Sequence, residues 1–500
     1  MEQILYHSTR DTQKKEKLSS AAAIKQGLAG DGGLFVPEKL PALTKNDLLA
    51  LAPLSYPERA AKVLSMFLTD YTEEELRADC AQAYSESSFP GGAAPLCQVD
   101  DHITSLELWH GPTAAFKDMA LQIMPRLLSR ALVKTGEKRD ALILVATSGD
   151  TGKAALEGYK DIPQIKMMVF YPIDGVSRVQ KLQMATQTGD NLSVVAIKGN
   201  FDDAQSGVKV IFNDPKAAEE LNQSGCFFSS ANSINWGRLA PQIVYYVSAY
   251  CDLLNEGKIT YGDKINVCVP TGNFGNILAA YIAKKMGLPL GKLICASNSN
   301  NVLTEFLRTG TYNRNRPFHL TMSPSMDILI SSNLERLLYF IAGSEATAAY
   351  MKQLSETGAY TVSAEILAEI QRDFIGYYAD EAVTAETIRE TFSADHYLAD
   401  THTAVGIAAA KQYQAEIGDD SLIVVASTAS PYKFAADVYA SLKPDDEKAE
   451  PLAALDLLES FSGVEIPYPL KGIGERKVRF DEVISKEDMQ KRVYEFAKQN

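Results

Sequence analysis

Five hundred residues exceed one ordinary domain and predict two or three. A hydrophobic share of 46% and a charged share of 22% are those of a soluble globular chain. The balance of 49 basic against 63 acidic residues, net -14, argues against a nucleic-acid or anionic-membrane surface, while leaving room for a locally positive pocket that takes a small anion.

The opening stretch, MEQILYHSTRDTQKKEK, holds no apolar segment of the secretory kind. No apolar run approaches the roughly 18 to 20 residues that span a bilayer, so no membrane partner is expected. The six cysteines are scattered without a CxxC pair, mostly in apolar company, and the expectation is buried thiols in a reducing cytoplasm. No cluster of His, Cys and carboxylates has metal-ligand spacing, and no metal site is expected.

The first unusual segment in chain order is HGPTAAFKDMA, residues 110–120. Lys117 lies in a run of small and apolar residues behind a Gly-Pro turn. Such a lysine either snorkels to water from a helix start or sits in a pocket where its amine reacts. Its neighbours leave both readings open.

A recurring unit follows. ALILVA leads into TSGDTG and then a helical pattern; INVCVP leads into TGNFGN; KLICAS leads into NSNN; SLIVVA leads into STASP. KMMVFYP and LSVVAIKG read as further strands. Apolar runs of this length alternating with helices predict an α/β fold with open, mostly parallel sheets covered on both faces. Ligands in such sheets bind beyond the carboxyl ends of the strands.

Three loops at such ends carry chemistry. In PTGNFGN, Gly272 and Gly275 permit a tight turn that presents backbone N–H groups and a helix N-terminus to an anion; an ordinary glycine-rich turn fits as well. In ATSGDTGKAA, the resemblance to a nucleotide phosphate loop fails, because Thr147 stands where its first glycine belongs and Ala154 where its Ser or Thr belongs. What is left, Ser148, Asp150 and Thr151 over a helix start, suits a carboxylate or a cofactor's polar rim, and equally a capped helix. In ASTASPYKF, Ser427 or Thr428 would project a hydroxyl from a strand end, although read alone such a hydroxyl more often caps the next helix. A reactive amine, an anion cradle, a polar turn and a late hydroxyl are together the parts of a pyridoxal 5′-phosphate site.

These motifs, with QGLAGDGGLFVP, SSANSINWGRLAPQIVYY, TMSPSMDILISSNLERLL and DTHTAVG around them, resemble the threonine synthase family. That family lies within the fold-type II pyridoxal-phosphate enzymes, the tryptophan synthase β-like group. The resemblance covers essentially the whole chain in the family's order. It implies that Lys117 carries the cofactor as a Schiff base and, once freed, moves protons at the substrate carbons. It implies that Gly272, Asn273, Phe274, Gly275 and Asn276 bind the cofactor phosphate and that Thr428 meets the ring nitrogen. Asp150 stands where many fold-type II enzymes have asparagine beside the 3′ oxygen. Ser148 and Thr151 would bind the substrate carboxylate. The substrate phosphate would draw on Asn232, Asn235 and Arg238, or on Ser177, Arg178 and Lys181, each of which reads equally as a surface or structural group. His110 and His402 are expected to be structural.

The implied reaction is O-phospho-L-homoserine plus water giving L-threonine and phosphate, by a cytoplasmic enzyme that is a monomer or homodimer. A serine or threonine dehydratase and a non-catalytic phosphate-binding protein are the alternatives. The implied layout is an N-terminal family-specific part over 1–95, a large cofactor domain from 96–117 and 216–442, a small α/β domain over 118–215, and a linker with C-terminal extension over 443–500.

Overall fold

Strands that are apolar at every position need cover on both faces, and the alternation of their side chains divides this molecule into layers. The computed structural model describes residues 3–13, 15, 17–147, 149–174 and 176–499, without the side chain of Asp202. A six-stranded sheet has the spatial order Phe374–Tyr378, Leu290–Ser297, Ile265–Pro270, Ile423–Ser427, Ile103–Glu107, Leu96–Gln98. Its neighbours are parallel except the last pair. A five-stranded, wholly parallel sheet has the order Val483–Ile484, Leu192–Ile197, Ile165–Pro172, Asp140–Ala146, Cys226–Ser229. All six strands expected from the sequence lie in these two sheets.

In Ile265–Pro270, Val267 and Val269 join a core shared with the long helix Trp236–Asn255, while Cys268 points the other way, into a core shared with helix Thr401–Ile417. In the smaller sheet, Ile143 and Val145 feed the first of these cores. Leu142 and Leu144 instead face Val493 and Phe496 of the C-terminal helix Met489–Ala497. Among the described residues no helix is long and apolar enough to cross a membrane, and none of their His, Cys and carboxylate groups cluster as metal ligands.

The smaller sheet reaches beyond the 118–215 span expected for it. Cys226–Ser229 is one edge, and Val483–Ile484 from the C-terminal segment is the other. Edges of four and two residues carry too little period-two pattern to be read from sequence. The segment after 443 is therefore built into the molecule: helix Ala453–Ser462 packs beside Ala435–Leu442, and the chain then crosses to the smaller sheet. There the Phe480 amide donates to the Ala185 carbonyl at 3.0 Å and the Ala196 amide to the Glu482 carbonyl at 2.9 Å. At the other end, helices Lys45–Leu51, Tyr56–Ser65 and Glu73–Ala83 each begin at a capping box: Thr44 with Asp47, Ser55 with Glu58, Thr72 with Glu75. Buried Arg59 ties them to the long helix, at 2.8 Å from Ser248 Oγ and 2.6 Å from Asp252 Oδ1.

The strand order is what places the site. Ile265–Pro270, Ile423–Ser427 and Ile103–Glu107 are immediate neighbours, so the three segments that follow them leave the carboxyl edge side by side.

Phe496 is buried against the smaller sheet. Phe496→Ala is expected to cost about 3–5 kcal/mol of local stability, seen as faster amide exchange in Ile165–Pro172 and Leu192–Ile197 with Ile265–Pro270 unaffected.

Candidate active site

The lysine segment and the late hydroxyl segment are stitched together by main chain. Phe116 N donates to Thr428 O at 2.8 Å, Ser430 N donates to Ala114 O at 3.0 Å, and Ala115 bridges Ala429 in antiparallel fashion. Ala114 holds a φ of 58° there, a conformation disfavoured for a residue with Cβ and maintained by these two bonds. Lys117 then begins the short helix Asp118–Leu121. Asp118 is buried and accepts from Thr113 N at 2.8 Å and Thr113 Oγ1 at 2.7 Å, which closes the turn in front of the lysine. Burial pushes the Asp118 carboxyl up to about 7 against the pull of those two donors.

The Lys117 side chain is one-tenth exposed. Its Nζ lies 3.5 Å from Asp150 Oδ2, 3.5 Å from Ser325 Oγ and 4.9 Å from the centre of the Phe116 ring. Burial drives its pKa below that of an ordinary lysine, Asp150 opposes the shift, and the charges of Arg238 and Lys433 reinforce it.

Asp150 opens helix Asp150–Tyr159. Thr147 Oγ1 accepts from Gly149 N and Gly152 N, each at 3.0 Å, so the turn has its cap without help from Asp150. Gly149 has φ 145°, and a Cβ on it would lie 2.5 Å from Gln180, so only glycine permits this path. Asp150 is free to face inward, where Gln180 Nε2 donates to its Oδ1 at 2.9 Å and Lys433 Nζ stands 2.7 Å from the same oxygen. Burial alone would raise its pKa, but Lys433 and Lys117 together hold it well below the usual carboxylate range.

Residues 272–276 cross from strand Ile265–Pro270 into helix Gly275–Met286 through Phe274, at φ 63°. The carbonyls of this loop are occupied, Gly272 O by Ser331 Oγ at 2.7 Å and Asn273 O by Asn333 N at 3.0 Å. The amides of Asn273 to Asn276 meet no acceptor among the described residues. Asn276 Oδ1 receives the hydroxyls of Tyr245 and Tyr246 at 2.5 and 2.6 Å, while its Nδ2 is buried without a partner. A Cβ on Gly272 would lie 2.7 Å from the Ser325 carbonyl, the residue whose hydroxyl faces Lys117.

The two candidate hydroxyls at the end of Ile423–Ser427 separate clearly. Ser427 Oγ lies in a buried network with Trp109 Nε1 at 3.0 Å and Thr403 Oγ1 at 3.0 Å. The buried Thr428 hydroxyl has no partner among the described residues.

Of the residues expected to hold a second anion, the structure brings Arg238 to Lys117. It is buried, donates from Nη1 to Ala231 O at 2.8 Å, and pairs with no carboxylate among the described residues. Burial draws its pKa down to about 10. Thr151 and Lys181 are half-buried with no side-chain partner among the described residues. The others do not join them. Asn235 is a helix cap with its amide bonded to Ile24 O and Ser230 O. Asn232 is exposed. Ser177 caps helix Arg178–Ala185 by accepting from Gln180 N. Arg178 is 61% exposed and turned away to Glu450 at 2.9 Å. Ser148 lies outside the described residues.

Three contributors escaped the sequence reading. Lys433, in SPYKF, is fully buried and joins Asp150 to the lysine segment. Ser325 touches Lys117, and its amide donates to His402 Nε2 at 3.1 Å, with His402 Nδ1 set by Asp400 Oδ1 at 3.0 Å. Asn333 grips Asn273 O and is itself held by Arg336, a buried guanidinium that reaches Phe35 O at 3.0 Å. A lysine two residues past a proline in the turn after a buried strand was the one available signal for Lys433; Ser325 and Asn333 carried none.

These groups fit pyridoxal phosphate. The orphaned Asn276 amide and the four free loop amides suit its phosphate, the depressed Lys117 amine suits its aldehyde carbon, and the unpartnered Thr428 hydroxyl suits its ring nitrogen.

Comparison with known proteins agrees. Residues 98–429 match the family model described as pyridoxal-phosphate dependent enzyme, residues 5–84 the threonine synthase N terminus, and residues 403–493 the threonine synthase C-terminal model. The chain is 39% identical over 464 residues to threonine synthase-like 1 of Macaca fascicularis, covering 90% of this chain but only 62% of that longer protein. It is 36% identical over 463 residues to threonine synthase of Schizosaccharomyces pombe, covering 86% of this chain and 88% of the relative. The structure of a pyridoxal-phosphate-bound threonine synthase from Brucella melitensis superposes with a TM-score of 0.88 at 35% identity, covering 99% of this chain and 100% of that one.

Asp118 gives a test of the lysine turn. Its folded pKa, about 7 against 3.8 for a free aspartate, stabilises the fold below pH 4 and is a contribution lost as pH rises toward 7. Asp118→Asn should remove that loss, so the variant's melting temperature should fall less than the parent's between pH 5 and pH 8.

Proposed function

This chain belongs to the threonine synthase family of pyridoxal-phosphate-dependent enzymes, and from that premise we propose that it converts O-phospho-L-homoserine and water to L-threonine and phosphate. One observation carries the choice of substrate. Arg238 is a buried guanidinium whose charge acts on Lys117, it has no carboxylate partner among the described residues, and it is a donor additional to the free amides at 273–276. A cofactor with one phosphate uses the loop; a substrate with its own phosphate uses the arginine, which regains in that anion the counter-charge it lost on burial. A dehydratase acting on free serine or threonine has no need of a second anion site.

When bound, pyridoxal phosphate supplies the electron sink that acidifies the carbons next to the substrate's amino group. The chain does the rest. The amides of Asn273 to Asn276, Asn276 Nδ2 and the N-terminus of helix Gly275–Met286 hold the cofactor phosphate. Thr428 would meet the ring nitrogen with a hydroxyl, which gives no strong reason to keep that nitrogen protonated. Asp150, whose Oδ2 is 3.5 Å from Lys117 Nζ, would stand nearest the ring oxygen. Lys117 would anchor the cofactor, and its freed amine would take the proton from Cα and then one from Cβ. Phosphate would leave Cγ, one of the two protons would go to Cγ, water would add its hydroxyl at Cβ with its other proton leaving on the phosphate, and the second proton would return to Cα to complete threonine. Burial favours each role of Lys117, because it enlarges the fraction of free amine at neutral pH. Arg238, with Lys181, holds the leaving phosphate, and Thr151 with Ser148 holds the substrate carboxylate. A cytoplasmic location belongs to the same proposal, since all six cysteines are unpaired thiols.

Purified protein supplied with O-phosphohomoserine should release phosphate, and should release no comparable ammonia from serine or threonine; the opposite pattern sinks the reading. Lys117→Ala should lose the visible absorption of lysine-bound cofactor and about 10³-fold or more of the turnover. Arg238→Ala should keep that absorption while kcat/KM for phosphohomoserine falls by about 10- to 100-fold, the worth of a charge-assisted hydrogen bond.

A further inference from the structure

Lys433 is a fully buried charge in the site and takes no part in the steps above. It lies in the short turn Pro431–Phe434, one residue beyond the segment bonded to the lysine loop, and its side chain is 0% exposed. Its ammonium reaches three acceptors from three other parts of the chain. These are Asp150 Oδ1 at 2.7 Å, Gln183 Oε1 at 2.9 Å and Thr113 O at 3.2 Å. An ammonium has three N–H donors, so Lys433 has none left over for substrate and is not a phosphate ligand.

The groups that face Lys117 are Asp150 from the helix start, Arg238 from the long helix, Lys433 from its turn and Ser325 from the opposite loop, with Asp118 next in its own helix tied to Thr113. Asp150 is the one carboxylate whose charge acts on Lys117, against the two cations Arg238 and Lys433, and this buried arrangement favours loss of a proton from Lys117. Arg238 is a guanidinium and keeps its charge. Lys433 holds three acceptors, the nearest at 2.7 Å, whereas Lys117 holds none closer than 3.5 Å. Asp150 is claimed at Oδ1 by Lys433 and Gln180, and only its far oxygen is turned to Lys117.

We propose that Lys433 is a positioning residue that takes Asp150 as its own counter-ion and so leaves Lys117 a free amine, ready to form a covalent bond with the cofactor. The inference rests on Lys117 being the reactive amine of the reaction proposed above. Without Lys433, Asp150 would turn its charge to Lys117 and hold the proton there.

The test measures the pH midpoint of Lys117 modification by fluorodinitrobenzene in the full-length chain freed of cofactor, read by peptide mass spectrometry with Lys117→Arg as the blank. A parallel titration follows visible absorption after pyridoxal phosphate is added. Lys433→Met should raise both midpoints by about one pH unit or more, the effect of an opposite charge at close range. Lys433→Gln removes the charge but fills the space and keeps an amide donor, so it serves if the methionine variant does not fold, and the same rise is expected. Adding Asp150→Asn to either should bring the midpoint back to or below the parent value, which loss of packing alone would not do. An unchanged midpoint in a folded Lys433 variant, or no return in the double variant, overturns the inference. Because labelling needs no cofactor, a shifted midpoint in a protein that makes no threonine would overturn the functional reading alone.

Discussion

The site depends on a seam of two main-chain hydrogen bonds between residues 114–116 and 428–430. The strands before these segments, Ile103–Glu107 and Ile423–Ser427, are parallel neighbours in register, with Ser427 opposite Glu107. Parallel pairing alone would let the chains diverge once the strands end. The seam keeps them together for three more residues, at the cost of a positive φ at Ala114. It delivers Lys117, Thr428 and Lys433 to one place from positions more than three hundred residues apart in sequence. Phe274 shows a matching distortion at the glycine loop, so two non-glycine residues with positive φ stand in the two segments that would grip opposite ends of one cofactor.

Charge is the second constraint. The protein carries a net charge of -14, yet Arg238 and Lys433 act on Lys117 against the charge of one carboxylate, Asp150. Burial makes that imbalance matter, because charges removed from water act on one another with much less screening. The consequence is a lysine that gives up its proton readily and an arginine that lacks a counter-ion. Both are conditions under which an amine attacks a carbonyl and a phosphate finds a partner. The charged side chains farther out, such as Arg178 with Glu450, are solvated and contribute little to this balance.

The layers of the fold serve the same end. Alternating residues of each strand feed different cores, so the sheets are rigid from both faces and their carboxyl edges are fixed platforms. The C-terminal segment adds an edge strand and a covering helix to the smaller sheet, whose inner strand Asp140–Ala146 leads directly to Asp150. The last residues of the chain thereby support one wall of the site from behind.

The apolar runs INVCVP, ALILVA and SLIVVA determined their own strands, because no half-exposed strand tolerates a hydrophobic residue at every position. The glycines after them determined tight turns, and the place of Lys117 among small residues marked it as worth explaining. Sequence could not distinguish Thr428 from Ser427, since both are strand-end hydroxyls; their separation follows from Trp109 and Thr403 occupying one and leaving the other. Nor could it tell that Arg238 is buried where its charge acts on Lys117 while Arg178 lies at the surface paired with Glu450, as either arginine opens a helix equally well in one dimension. Lys433 and Ser325 became visible only where their partners from distant segments met them. Periodicity and turn chemistry are local properties and are written locally; the partner of a buried charge or hydroxyl is set by which strands lie side by side, and that is decided only when the chain folds.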